Sequence, residues 1–129
     1  RRVGAQLNAF TSKECTCYYI KVIDEHIELA LDMLSDMVLR AKLAPEEFEK
    51  EKGVILEEIG MNEDSPEDVV FEMLAKALFG EHSLGMTILG PADNIRAFKR
   101  DELAAYRARM YGRPTLCWRW RVITTGRRL

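Results

Sequence analysis

Histidine is scarce in this chain: only His26 and His82 occur, and each stands alone with no second His or Cys pair at metal-ligand spacing. Neither can be assigned as a metal ligand. Cysteine is equally sparse, and Cys15, Cys17 and Cys117 form no even set from which a disulfide framework could be built. The i, i+2 spacing of the first two places both on one face of a strand and predicts buried, reduced thiols. No apolar run approaches the eighteen or so residues of a membrane span, and the opening Arg1-Arg2-Val3-Gly4 is not followed by a signal-peptide core. Nineteen basic residues against twenty-one acidic ones leave a net charge of -2. No global field therefore draws the chain to nucleic acid or to an anionic membrane, and neither is expected as a partner. Up to about Gly112 there is no repeat, linker or low-complexity segment that would mark a domain boundary.

What remains is a chain of 129 residues, 47% hydrophobic and 31% charged, enough for one globular domain. Residues 5–10 alternate apolar and polar, Thr11-Ser12-Lys13 interrupt, and Glu14 to Val22 is rich in β-branched and aromatic residues, which predicts an antiparallel hairpin. After Asp24, a candidate N-cap, Ile27, Ala30, Leu31, Leu34, Met37 and Val38 recur at helical spacing until about Arg40. A second helix is expected from Pro45 through Ile59, with an interruption from Asn62 to Pro66. A third, capped by Ser65, is expected to turn Val69, Val70, Met73, Leu74, Ala77 and Leu78 inward and to stop at Gly80. Glu81 to Pro91 reads as a loop, and a last helix runs from about Arg100 to Met110 with Leu103, Tyr106 and Met110 on one face. The fold class is α+β, an antiparallel hairpin packed against helices.

The second helix carries the most chemistry. Glu51 and Glu58 are separated by seven residues, which an ideal helix turns through about 700°, so they lie within about 20° of each other and about 10.5 Å apart along the axis. Both share a face with Val54 and Ile55. Carboxylates on an inward stripe cost desolvation energy unless a cation or metal meets them. The alternative is a salt-bridged, solvated amphipathic helix.

Gly4-Ala5-Gln6-Leu7-Asn8-Ala9-Phe10-Thr11-Ser12-Lys13-Glu14, with Thr16 and Tyr18, resembles the "G-x-x-N-A-x-T-s-x-E-x-T-x-Y" segment of pitrilysin/insulinase-type zinc peptidases. Glu49 to Ile59 is similar to that family's distal-ligand helix, and Leu84-Gly85-Met86-Thr87-Ile88-Leu89-Gly90-Pro91 to its "L-G-x-x-I-L-G" loop. Order and spacing agree over residues 4–112, and the branch most resembled is that of processing-peptidase-like enzymes. The resemblance implies a zinc endopeptidase that cleaves peptides or presequences with a metal-activated water. It implies Glu58 as the distal zinc ligand and Glu51 as the supporting acid. Asn8, Ala9 and Phe10 then belong to a strand to which peptide substrate adds, with Phe10 lining a pocket. Read without the resemblance, Asn8 is a strand-end residue bonding its own backbone and Phe10 a core aromatic. Implied partners are the remainder of the peptidase chain and its second homologous domain. The implied location is the bacterial cytoplasm, or the mitochondrial matrix in a eukaryote.

The family's H-x-x-E-H motif occurs nowhere in the chain, and the 57 residues before Glu58 are too few to reach it. His26 mimics part of the motif but falls at a helix start, where it reads as a surface cap residue. Residues 1–112 are therefore expected to be part of a peptidase domain, inactive alone, with a catalytically silent subunit as the alternative parent. Residues 113–129 resemble neither the family nor an ordinary element. Shifting the codon frame gives Leu across Cys117-Trp118 whichever Cys codon is used. The same shift can turn Thr115 to Val122 into Thr-Val-Leu-Ala-Val-Ala-Gly, the type of apolar strand the family places there. The tail is expected to be frameshifted; the alternative is a basic, aromatic arm for nucleic acid.

Overall fold

The computed structural model describes residues 4–112 and 114–121. Two strands, β1 (Gln6–Thr11) and β2 (Thr16–Lys21), form an antiparallel hairpin in the register Gln6↔Lys21 through Thr11↔Thr16. At its tip the Ser12 N–H donates to the Cys15 carbonyl (2.8 Å), and Ser12 Oγ accepts from the Cys15 N–H (3.1 Å). A 3-10 turn at Asp24–His26 leads into helix α1 (Ile27–Leu39), followed by α2 (Pro45–Glu63), α3 (Pro66–Phe79), a 3-10 turn at Ser83–Gly85, α4 (Ala92–Ala97) and α5 (Arg100–Met110). The fold is α+β, as expected from the alternation of patterns.

Boundaries follow local chemistry. Ser65 stops α2 and starts α3: preceding a proline, it is extended (φ -93°, ψ 108°), and its side chain accepts from the Asp68 N–H (3.4 Å). The second helix continues past Ile59 to Glu63, because nothing between them breaks it and Asp64 N–H still finds the Gly60 carbonyl (3.0 Å). Asn62 is thus inside the helix and only the Asp64–Ser65 joint interrupts. Asp24 is not an N-cap but the first residue of the 3-10 turn, its Oδ1 accepting from the adjacent Glu25 N–H (3.0 Å). Helix α4, six residues long, has no counterpart in the sequence reading; it is too short to show a period. At α5 the Glu102 carboxylate accepts from the Lys99 N–H (2.8 Å).

Packing is thin. Among the described residues the buried hydrophobics are Ala30, Val38 and Ile59. The expected inward face of α3 is corrected in part: Val69 is half-buried, but Ala77 is exposed and Val70, Met73, Leu74 and Leu78 are 52 to 68% exposed, while Glu72 and Ala75 are half-buried. The apolar stripe exists, but no described element lies against it. The thiols are corrected too. Cys15 and Cys117 are exposed and Cys17 half-buried. His26 is half-buried at the head of α1 and offers no side-chain cap.

Four basic side chains tie distant segments together, and each donates to backbone carbonyls. Lys13 Nζ reaches Leu84 O (2.7 Å) and Met86 O (3.0 Å). Lys52 Nζ reaches Arg96 O (3.1 Å) and Phe98 O (3.2 Å) at the end of α4. Arg100 Nε reaches Leu43 O (2.5 Å), and Arg107 Nη2 reaches Val38 O (2.9 Å) in the last turn of α1. Helix-end carbonyls lack intrahelical partners, so a cation there satisfies a group that would otherwise need water. Beside Arg107, burial first and Tyr111 second raise Tyr18 above its ordinary value, with Arg107 opposing.

The Lys52 side chain is 17% exposed, with its ammonium 5.6 Å from the centre of the Phe48 ring. In the full-length protein, Lys52→Ala is expected to cost about 1–3 kcal/mol in chemical denaturation. Lys50→Ala, which removes only the exposed pair with Glu47 (2.8 Å), should stay within about 0.5 kcal/mol. Equal losses for the two variants would show that the α2–α4 tie contributes nothing special.

Candidate functional site

Helix α2 has two faces. Phe48, Lys52, Ile55, Leu56 and Ile59 recur at three- and four-residue spacing and pack toward α3 and α4, with the Phe48 ring 6.5 Å from that of Phe98 and tilted by 36°. Glu51 and Glu58 project from the flank of that stripe, beside Val54 and Met61, which are 46% and 72% exposed. Both carboxylates are exposed. The ion pairs along this helix engage Glu47 with Lys50 and Glu49 with Lys52. Glu51 and Glu58 take no part in an ion pair or side-chain hydrogen bond among the described residues.

Glu58 borders a shallow open groove whose other walls are Met61 and Asn62 of α2 and Ile88 and Leu89 of the loop that follows α3. Local constraints set the shape of that loop. Gly80 adopts a positive φ of 56°, and a Cβ on Gly85 would run into the Gly80 carbonyl oxygen. His82 Nδ1 accepts from the Leu84 N–H (3.2 Å), and Thr87 Oγ1 from the Gly90 N–H (3.1 Å). At the loop's entry Lys76 hydrogen-bonds Glu81 (2.6 Å), which holds that carboxyl below its usual range first by the hydrogen bond and then by charge.

Asn8, Ala9 and Phe10 lie on β1, whose six residues are all exposed. With the sheet limited to β1 and β2 among the described residues, β1 has one edge without a partner strand. Asn8 Oδ1 accepts from the neighbouring Ala9 N–H (2.8 Å), the local bond that a strand asparagine makes on its own. Phe10 is 53% exposed and is not a core residue; its ring lies 6.5 Å from that of Tyr19, tilted by 59°.

The structure therefore brings Glu58 together with Ile88 and Leu89, while Asn8, Ala9 and Phe10 stand on a separate element. Among the described residues no group of three or more His, Cys, Asp and Glu side chains lies close enough to hold a metal ion. Sequence reading found the loop as a motif but gave no role to Ile88, Leu89, Met61 or Asn62, since apolar residues in a loop carry no periodicity. Neither could it foresee that Lys13 reaches carbonyls more than seventy residues away.

The family model for insulinase (peptidase family M16) matches residues 1–92. The chain belongs to the insulinase family of peptidases. It is 51% identical over 105 residues to the zinc protease YmxG of Bacillus subtilis, covering 81% of this chain and 26% of YmxG. It is 42% identical over 104 residues to the mitochondrial-processing peptidase subunit beta of Lentinula edodes, covering 81% of this chain and 22% of that subunit. Among solved structures, an M16-like peptidase from Alicyclobacillus acidocaldarius superposes with a TM-score of 0.73 at 30% identity, over 85% of this chain and 26% of that one. The chain thus spans about a quarter of the length of the relatives it matches.

Proposed function

We propose that this chain is part of a zinc endopeptidase domain in which Glu58 supplies one metal ligand, Glu51 supports it, and β1 receives the peptide. The observation that carries the reading is the state of Glu58: an exposed carboxylate at the rim of a groove, with no cation set against it among the described residues. A carboxylate oxygen is a fitting zinc donor, but a catalytic zinc takes three protein ligands and this chain offers one at the groove. The remaining donors belong to other parts of the full protein. When bound, zinc would acidify a water molecule and polarise the scissile carbonyl. With a single donor the isolated chain holds metal weakly and is inactive.

The residues of this chain have their own tasks. The free edge of β1 offers backbone donors and acceptors to an extended peptide, and Phe10 offers exposed aromatic surface beside that edge. Glu51, on the same flank as Glu58, adds negative charge that favours a bound cation. The exposed stripe of Val70, Met73, Leu74 and Leu78 suits cover by the rest of the peptidase, including its second homologous domain. We place the full protein in the cytoplasm, or in the mitochondrial matrix if eukaryotic; no helix of the described residues is long and apolar enough to cross a membrane.

For residues 113–129 we infer a shifted reading frame. Residues 114–121 form a turn followed by chain with neither helix nor strand, while Arg113 and residues 122–129 lie outside the described residues. Resequencing the gene is expected to restore an apolar strand after Gly112 and extend the frame; verified DNA encoding Cys117-Trp118-Arg119-Trp120 in a functional protein would refute this.

In the full-length protein, Glu58→Gln is expected to reduce bound zinc at least tenfold after dialysis and to abolish peptide hydrolysis, since an amide oxygen is a far poorer ligand than a carboxylate. Glu51→Gln should weaken both less. Wild-type zinc content and turnover in Glu58→Gln would remove Glu58 from the metal site.

A further inference from the structure

Lys13 occupies the tip of the β1–β2 hairpin, and its ammonium donates to Leu84 O at 2.7 Å and Met86 O at 3.0 Å, across 71 and 73 residues of chain. Two of its three N–H bonds are thereby committed to carbonyls, which argues against a role in holding an anion. The cleft between the hairpin tip and the loop is walled by Thr11, Ser12 and Lys13 on one side and by Met86, Thr87 and Ile88 on the other. Ile88, half exposed, is also a wall of the groove that Glu58 borders. One loop residue thus stands between the strand proposed to receive the peptide and the carboxylate proposed to hold the metal.

The loop's own bonds fix its shape, through Gly80, Gly85 and the Thr87–Gly90 hydrogen bond, but they do not fix its distance from the hairpin. Among the hydrogen bonds of the described residues, those of Lys13 do. We infer that Lys13 is a positioning residue for peptide binding: it clamps the Leu84–Leu89 loop to the hairpin, so that Ile88 forms an apolar wall for substrates with an aliphatic or aromatic side chain at that point. This rests on the peptidase reading above. Lys13 touches neither metal nor reacting atoms in this account; it acts through Ile88. A peptide paired with β1 and running toward Glu58 passes the wall that Lys13 holds, so the residue affects substrate capture more than bond cleavage.

The test uses the full-length, zinc-loaded protein with Lys13→Ala and Lys13→Arg, whose guanidinium can bridge two carbonyls. For a peptide with a large apolar residue, Lys13→Ala should raise KM roughly three- to tenfold, the scale of one or two hydrogen bonds, with kcat and zinc content unchanged. Hydrogen exchange at the amides of Thr87 to Gly90 should quicken in Lys13→Ala, and Lys13→Arg should recover both. An unchanged KM in Lys13→Ala against an active wild type overturns this inference alone. A loss of thermal stability, kcat and zinc together, without recovery in Lys13→Arg, also overturns it, by making the residue a general structural tie. A wild type that binds zinc but hydrolyses no peptide overturns the peptidase reading itself, and this inference with it.

Discussion

Cations donating to backbone carbonyls hold this chain in shape. Lys13, Lys52, Arg100 and Arg107 each leave their own element to reach backbone carbonyls of another segment, and together they join the hairpin to the loop after α3, α2 to the end of α4, and α5 to the segment before α2 and to the end of α1. Helix ends present carbonyls that no intrahelical N–H can satisfy, and a long basic side chain can answer them while keeping part of its charge in water. Elsewhere such contacts supplement an apolar core. Here the buried hydrophobics among the described residues are only Ala30, Val38 and Ile59, so these polar ties carry much of the tertiary definition.

That division of labour leaves α2 free to present chemistry. Its inner stripe is spent on Phe48, Lys52 and Ile59, and its flank carries Glu51 and Glu58 outward beside Val54 and Met61. Both carboxylates are exposed, and water solvates them as the chain stands. The chain belongs to the insulinase family and spans about a quarter of the length of the relatives it matches.

Much of the architecture was legible because it rests on local rules. The Thr11–Lys13 break set the hairpin, Ser65-Pro66 set the joint between α2 and α3, and Gly80 set the end of α3. What was not legible depended on partners. Val70, Met73, Leu74 and Leu78 have the pattern of a core face, and periodicity records that a stripe is apolar without recording whether anything lies against it. Helix α4 was invisible because six residues cannot display a period. The end of α2 was placed too early because Asn62 was read as a breaker, when the extended conformation imposed on Ser65 by Pro66 does the work. For the site, the flank shared by Glu51 and Glu58 followed from a seven-residue spacing, although both are exposed rather than turned inward, whereas the approach of Ile88 and Leu89 to Glu58 is a long-range fact that no local pattern encodes.

We propose Glu58 as a ligand of a zinc ion whose other ligands lie elsewhere in the full protein. The most direct measurement is anomalous diffraction at the zinc edge from crystals of the full-length protein. A zinc peak about 2.0–2.2 Å from a Glu58 carboxylate oxygen is the predicted result. A zinc ion fully coordinated by other residues, with Glu58 turned to solvent, would contradict the account.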